Sequence, residues 1–305
     1  MKSIPFIIGQ TASGKKALTH YAALRTGSEI ISVDSMKIYR YMDIGTAKPS
    51  PAMRREATYH MIDTADPGEA ADVKGYIDQV NTILEGYPRT AYILSGGSSM
   101  YIKGIISGIF EGPGKDAEFR DMLRKKADEH GTDLLHDELK KADPKAASKI
   151  GRNDLKRIIR ALEIHRASGE SLSDLQTQFS SRRKDLSFTL IGLRFERSIL
   201  YERINRRVDR MFEKGLADEV KALYEQYRFG PTSSQAIGYR EIIEALEQNR
   251  DPDSDEVRDK IRKNTRVFAR KQMTWFRKFR DVLWIDADED QTAEDIFTQI
   301  EPLIS

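Results

Sequence analysis

Cysteine is absent from all 305 residues. That excludes disulfides, cysteine nucleophiles and thiolate metal sites, and it suits a reducing cytoplasm. Also missing is any uninterrupted apolar stretch near the ~20 residues of a spanning helix, so no membrane segment is expected. A strand-like run begins within the first few residues, so no signal peptide is expected. Histidine is scarce. His20, His60, His130, His136 and His165 stand apart, at no metal-ligand spacing, and read as structural or surface residues. Internal repeats and low-complexity linkers are lacking. Neither sign of charge dominates, because 50 basic and 48 acidic residues leave only +2. What is present is a spread of aliphatic and aromatic residues along the whole length. That excludes bulk disorder and supplies a sizeable core.

The charge balance conceals an asymmetry. Residues 257–280 hold ten Lys and Arg and a single acid, Asp259; residues 281–290 hold five acids and no base. A concentrated basic stretch says more about partners than an average does. Arg258, Arg262, Arg266 and Arg270 recur every four residues, a slowly drifting row on a helix, and Arg277, Lys278 and Arg280 extend it. Ile261, Phe268, Trp275 and Phe279 form a second stripe expected to pack inward. With one acid for ten bases, the row reads as a helix lying on an RNA phosphate backbone rather than as a solvated face.

Short apolar runs at 4–8, 29–33 and 91–94 each stop at a polar or glycine-rich turn, and helical character follows. That alternation predicts parallel strands, with functional loops at their carboxyl ends. From about 114 the pattern becomes helical, with amphipathic segments at 118–129, 132–141, 153–167 and 171–179. Strand character returns at 187–193 and again at 282–285. A helical insertion over 114–185 is expected, within a core formed by 1–113 and 186–305.

Gly9-Gln10-Thr11-Ala12-Ser13-Gly14-Lys15 follows the first strand and opens a helix. This is the phosphate-loop pattern in its required context. Its amides and helix N-terminus can cradle a polyanion, and Lys15 adds a point charge. The fold expected is therefore α/β, a P-loop NTPase-like parallel sheet core with a helical insertion domain. The next position normally carries Ser or Thr, whose hydroxyl binds Mg²⁺; here it is Lys16. Three readings stay open: other groups hold the metal, Lys16 replaces some of its charge, or the site is impaired. Asp34 closes the second strand on the same sheet edge. There it could coordinate Mg²⁺, accept a proton, or merely cap a turn.

The chain resembles the tRNA dimethylallyltransferases, also called tRNA isopentenyltransferases. The matching pieces run through the length. They are Gly9 to Lys15; Asp34-Ser35 with Asp43-Ile-Gly-Thr-Ala-Lys-Pro49; His60-Met-Ile-Asp63 with Asp66-Pro67; and Gly96-Gly97 with Tyr101. Further on come Asn153-Asp154 with Arg157 and Arg160-Ala-Leu-Glu163; Arg207-Val-Asp-Arg-Met211 with Gly215-Leu216; Gln235-Ala-Ile-Gly-Tyr239; and Thr265-Arg266 with Ala269 to Trp275. The resemblance implies transfer of a dimethylallyl group from dimethylallyl diphosphate to N6 of the adenosine just 3′ of the anticodon. In such enzymes the phosphate loop, here Gly9 to Lys16, holds the diphosphate, and Mg²⁺ is the expected cofactor. By the same resemblance Asp34 accepts the N6 proton, and Lys15, Arg203 and Arg207 are the cationic catalytic candidates. Asp34, Ser35, Met36, Lys37, Ser98, Arg120, Arg157, Arg160, Tyr239, Arg266, Arg270, Lys271 and Arg277 would face the anticodon stem-loop of tRNA, and the helical insertion would close on it. A cytoplasmic monomer is expected.

Four loop positions depart from the family. Gln10 stands where Pro is usual, Lys16 where Thr or Ser is, Lys37 where Gln is, and Ser98 where Thr is. Ser98 keeps a hydroxyl. Lys37 loses an amide able to pair bidentately with adenine. A weakened, RNA-binding relative is therefore a competing reading. A small-molecule kinase is another, but it would not need the basic helix and would want the hydroxyl that Lys16 displaces.

Overall fold

The computed structural model describes residues 3–108, 112–175 and 183–304. Two compact units emerge. One joins Met1–Ile106 to Arg183–Ser305; the other is Ser107–Arg182.

The larger unit is built on six parallel strands: β1 (Ile4–Gly9), β2 (Glu29–Val33), β3 (Tyr59–His60), β4 (Tyr92–Gly96), β5 (Phe188–Arg194) and β6 (Val282–Asp286). They lie in the order β3-β2-β4-β1-β5-β6. Ile4 to Gly9 is buried throughout, which is why this strand reads as an unbroken apolar run rather than an alternating one. The chain leaves β1 toward β2 on one side, whereas β4 is followed by β5 on the other. The crevice between β1 and β4 is therefore the switch point where α/β sheets bind ligands. Register fixes what meets there. Ile8 and Val33 both pair with Gly96, so the residues that follow β1 and β2 leave the sheet at one level.

Helices α1 (Lys15–Thr26), α2 (Pro51–Glu56), α3 (Val73–Leu84) and α4 (Ser99–Ser107) connect the early strands. The smaller unit carries α5 (Ala117–His130), α6 (Thr132–Ala142), α7 (Pro144–Ala147), α8 (Leu155–Ser168) and α9 (Leu172–Leu175). It has its own core, in which Leu123, Leu135, Leu139 and Ile158 are buried. Its bounds start seven residues earlier and end three earlier than the stretch read from the sequence. The helix expected over 171–179 is described only to residue 175; positions 176–179 lie outside the described residues.

After β5 come α10 (Arg197–Glu213), α11 (Leu216–Gln226), α12 (Tyr239–Glu247), α13 (Asp255–Phe276) and, beyond β6, α14 (Ala293–Ile304). The buried face of α13 is Val257, Ile261, Thr265, Ala269, Gln272 and Phe276. Of the stripe expected to pack inward, Ile261 is on this face, whereas Trp275 and Phe279 are half-buried. Phe268 is 41% exposed, because the true apolar row advances by four residues and not by seven. Among the described residues, no helix is long and apolar enough to cross a membrane.

Candidate active site

The phosphate loop turns sharply enough to place two residues in the left-handed region, Ala12 at φ 64° and Gly14 at φ 82°. Gly14 suits this turn because its backbone, at φ 82°, is one that side chains rarely adopt. Lys15 folds back over the loop and donates from Nζ to Gln10 O at 3.0 Å. Ser13 Oγ is buried and has no hydrogen-bond partner.

The loop is strapped to α13. Gln10 Nε2 donates to Ala269 O at 2.8 Å. Gln272 accepts from Thr11 N through Oε1 at 2.8 Å and donates from Nε2 to Gly97 O at 2.8 Å. One amide thus ties the β1 and β4 loops together at the switch point. Gln272 was not singled out from the sequence. The signal was there, since a buried polar residue on an apolar row must have partners.

Asp34 leaves β2 at the level of the loop. Its Oδ1 accepts from Met36 N at 2.9 Å and Lys37 N at 3.4 Å, an Asx turn that fixes the carboxylate. Oδ2 makes no hydrogen bond among the described residues. Ser35 N donates to Ser98 Oγ at 3.0 Å, so the two serines join the β2 and β4 loops.

Lys15, Lys16, Lys37, Arg203 and Arg207 gather around the loop, and none is ion-paired among the described residues. Arg203 donates from Nε to Ala12 O at 3.0 Å and lies over the Phe195 ring at 4.5 Å. Burial, then the charges of Lys37 and Arg207, pull Lys15 down to about 7, with Asp34 opposing. Burial, Lys37, Arg207 and Lys214 pull Lys16 down to about 8. Lys37 and Arg207 are lowered chiefly by burial, again opposed by Asp34. Such crowding of cations around one carboxylate marks a place that receives an anion. Together with Gly45, Val208, Phe268 and Lys271 these groups line one pocket of about 1820 Å³.

The loop after β2 is held from below. Glu219 accepts from Asp43 N at 3.1 Å, Ile44 N at 2.8 Å and Gly45 N at 3.4 Å, and from the hydroxyl of Tyr239 at 2.5 Å. Gly45 has to be glycine, since a Cβ would come within 2.3 Å of the Tyr239 ring. Lys48 is buried, with Nζ donating to Tyr39 O, Asp43 and Asp63. Glu219 also escaped the sequence reading, being one acid on an ordinary amphipathic helix.

Several expected RNA contacts are placed elsewhere. Tyr239 is fully buried beneath Gly45, so it supports the loop and does not face solvent. Arg266 donates to Asn205 Oδ1 at 2.9 Å and lies near the Tyr201 ring. Arg262 is paired to Asp209 and Asp259, and Arg258 to Asp253 while lying over the Phe212 ring. The basic row of α13 therefore faces α10 and its own preceding turn, whose acids a count along the helix missed. Arg270, Lys271 and Arg277 are exposed. In the smaller unit Glu163 is buried and accepts from Arg120 Nε and Nη2, both at 2.6 Å, from Asp116 N at 2.8 Å, and from Arg160. Burial would raise that carboxyl, yet these donors hold it down at about 2. Arg120 and Arg160 are thus committed to Glu163, while Arg157 is exposed.

The position that should present a hydroxyl to Mg²⁺ does not fit the ion. Lys16 Nζ points instead at the carbonyls of Ala47 and Lys48, at 3.5 and 3.4 Å. Among the described residues no three His, Asp or Glu side chains cluster as metal ligands.

A parallel sheet with a phosphate loop at its switch point, a carboxylate on the same edge and a ring of cations is the arrangement of a P-loop protein. The model for IPP transferase matches residues 37–279. A tRNA dimethylallyltransferase of Acetivibrio thermocellus is 40% identical over 309 aligned residues, covering 98% of this chain and 96% of its own. One from Thermotoga maritima is 40% identical, covering 95% and 94%. Among solved structures, the full-length tRNA isopentenylpyrophosphate transferase of Bacillus halodurans superposes with a TM-score of 0.71 at 35% identity, covering 100% of this chain and 97% of its own. A eukaryotic dimethylallyltransferase acting on tRNA gives 0.81 at 25% identity, covering 99% and 79%. The chain belongs to the IPP transferase family.

Proposed function

We propose that the chain moves a dimethylallyl group from dimethylallyl diphosphate to N6 of the adenosine 3′-adjacent to the anticodon of tRNA. As a member of the IPP transferase family it is a tRNA-modifying prenyltransferase. The observation that carries the finer reading is the opposition, in one pocket, of the phosphate loop with Lys15 and the carboxylate of Asp34.

In the step, the C1–O bond to diphosphate breaks and its electron pair leaves with the diphosphate. Loop amides, Lys15, Arg203 and Arg207 stabilise that developing charge. N6 bonds to C1 and becomes cationic. Its proton passes to Oδ2 of Asp34, the oxygen left free by the Asx turn. The adenine has to leave its stack to reach such a pocket. Exposed Arg270, Lys271 and Arg277 supply phosphate contacts on the larger unit, and Arg157 does so on the smaller one.

The test is incubation with labelled dimethylallyl diphosphate and an anticodon stem-loop, followed by digestion to nucleosides. Label on N6 of the adenosine beside the anticodon is expected, with none on a stem-loop carrying guanosine there. Binding of the stem-loop without transfer would favour the weakened relative suggested by Lys16 and Lys37.

A further inference from the structure

The residue after the phosphate-loop lysine is the place where a P-loop normally recruits its divalent cation. Here it carries a cation of its own. Lys16 sits in the first turn of α1, and its ammonium reaches the carbonyls of Ala47 and Lys48 only at 3.5 and 3.4 Å. An ammonium has three donors, and contacts that long leave it free to turn toward a better acceptor. The carbonyls belong to the loop that Glu219 and Lys48 hold from beneath, so the ammonium reaches from α1 to a fixed rim.

The charge count around it points the same way. Five side chains, Lys15, Lys16, Lys37, Arg203 and Arg207, line the pocket beside the loop without an ion-paired acid among the described residues. A second, doubly charged cation placed among them would meet strong repulsion at short range. A diphosphate meets the opposite, since it brings negative charge to a site already holding the compensating positive charge.

We infer that Lys16 serves as a built-in counter-ion for the diphosphate, taking the charge-neutralising place of a divalent metal, so that this chain holds its donor substrate without Mg²⁺. The inference rests on the diphosphate reading of the phosphate loop. Lys16 hydrogen-bonds a diphosphate oxygen and leaves Ala47 and Lys48 to do so. It shares with Lys15 the charge that appears on the leaving group, and it forms no bond to carbon.

Calorimetric titration with inorganic pyrophosphate, and with dimethylallyl diphosphate in the absence of RNA, tests this. Each is run in EDTA and in Mg²⁺. The unaltered protein is expected to bind both ligands in EDTA about as tightly as in Mg²⁺. Lys16→Met keeps most of the side chain's length and removes the charge; it should bind about tenfold more weakly in either condition. Lys16→Thr restores the usual hydroxyl, so its binding should be weak in EDTA and recover in Mg²⁺. If the unaltered protein binds pyrophosphate only in Mg²⁺, the inference is overturned while the diphosphate site stands. If neither ligand binds the unaltered protein in either condition, the diphosphate site itself falls, and the inference with it. The first comparison needs no variant, so a misfolded substitution does not rescue the idea.

Discussion

Lys15 and Lys16 are lysines kept near the edge of deprotonation, at about 7 and about 8, by burial and by like charges. The sign of the consequence follows from linkage. In the folded protein without ligand they lose protons as pH rises through those values, whereas the unfolded chain keeps them to the ordinary lysine range. The unfolded state therefore binds more protons across that window, and folded stability rises with pH there. A bound diphosphate reverses the pull by bringing opposite charge, which recharges the lysines. Dimethylallyl diphosphate binding at pH 8 is expected to take up roughly one proton. Calorimetry in two buffers of different ionisation heat reads it directly. Zero uptake or proton release contradicts the cation-crowded site.

Glu163 is the opposite case in the smaller unit. Its carboxyl is held at about 2, so its contribution is present above the ordinary carboxyl range and is lost as pH falls through that low value. Glu163→Gln leaves Arg120 and Arg160 facing a neutral amide. Because both guanidiniums keep partial water access, a cost of about 2 kcal/mol is expected, less than for a wholly buried pair. Faster hydrogen exchange along α8 in that variant is the expected readout, and unchanged exchange would remove the network's structural role.

At the scale of elements, α13 shows how a basic helix divides its charges. Arg258, Arg262 and Arg266 are spent on Asp253, Asp209, Asp259 and Asn205, whereas Lys271 and Arg277 remain exposed. The two groups are therefore expected to fail differently. Arg262→Ala should lower stability by about 1 kcal/mol and leave the salt dependence of RNA binding alone. Lys271→Ala should leave stability alone and reduce the slope of log affinity against log salt by about one. Denaturant melts and stem-loop titrations over a salt series separate the two, and the reverse pattern would refute the division. A similar argument applies beneath the loop after β2. Glu219→Ala strands the amides of Asp43, Ile44 and Gly45, and should cost about 2–3 kcal/mol in a denaturant melt.

The same helix shows what sequence could and could not reveal. The phosphate loop was legible because its glycines answer to backbone geometry fixed within seven residues. The central strands were legible because burial on both faces leaves an unbroken apolar run, as in Ile4 to Gly9. β3 was not, since two residues at a sheet edge carry no pattern. The Asp209 partner of Arg262 was not either, because it lies 53 residues away and only packing of α10 on α13 brings it near. The burial of Tyr239 was not legible either, because the acceptor of its hydroxyl, Glu219, lies 20 residues back on another helix.

For the larger unit as a whole, strand order is what creates the site. Gly96 pairs with both Ile8 and Val33, so one sheet edge carries the phosphate loop and Asp34 together. The switch point leaves both facing one pocket. Everything chemical in the account depends on that carboxylate acting as the proton acceptor. The most direct test is single-turnover prenyl transfer by Asp34→Asn, with dimethylallyl diphosphate binding measured on the same protein. Transfer should fall by about 10²–10⁴-fold. Diphosphate binding should be retained or tightened, because the change removes a negative charge that faces Lys15, Lys37 and Arg207. Transfer by Asp34→Asn at the rate of the unaltered protein would contradict the account.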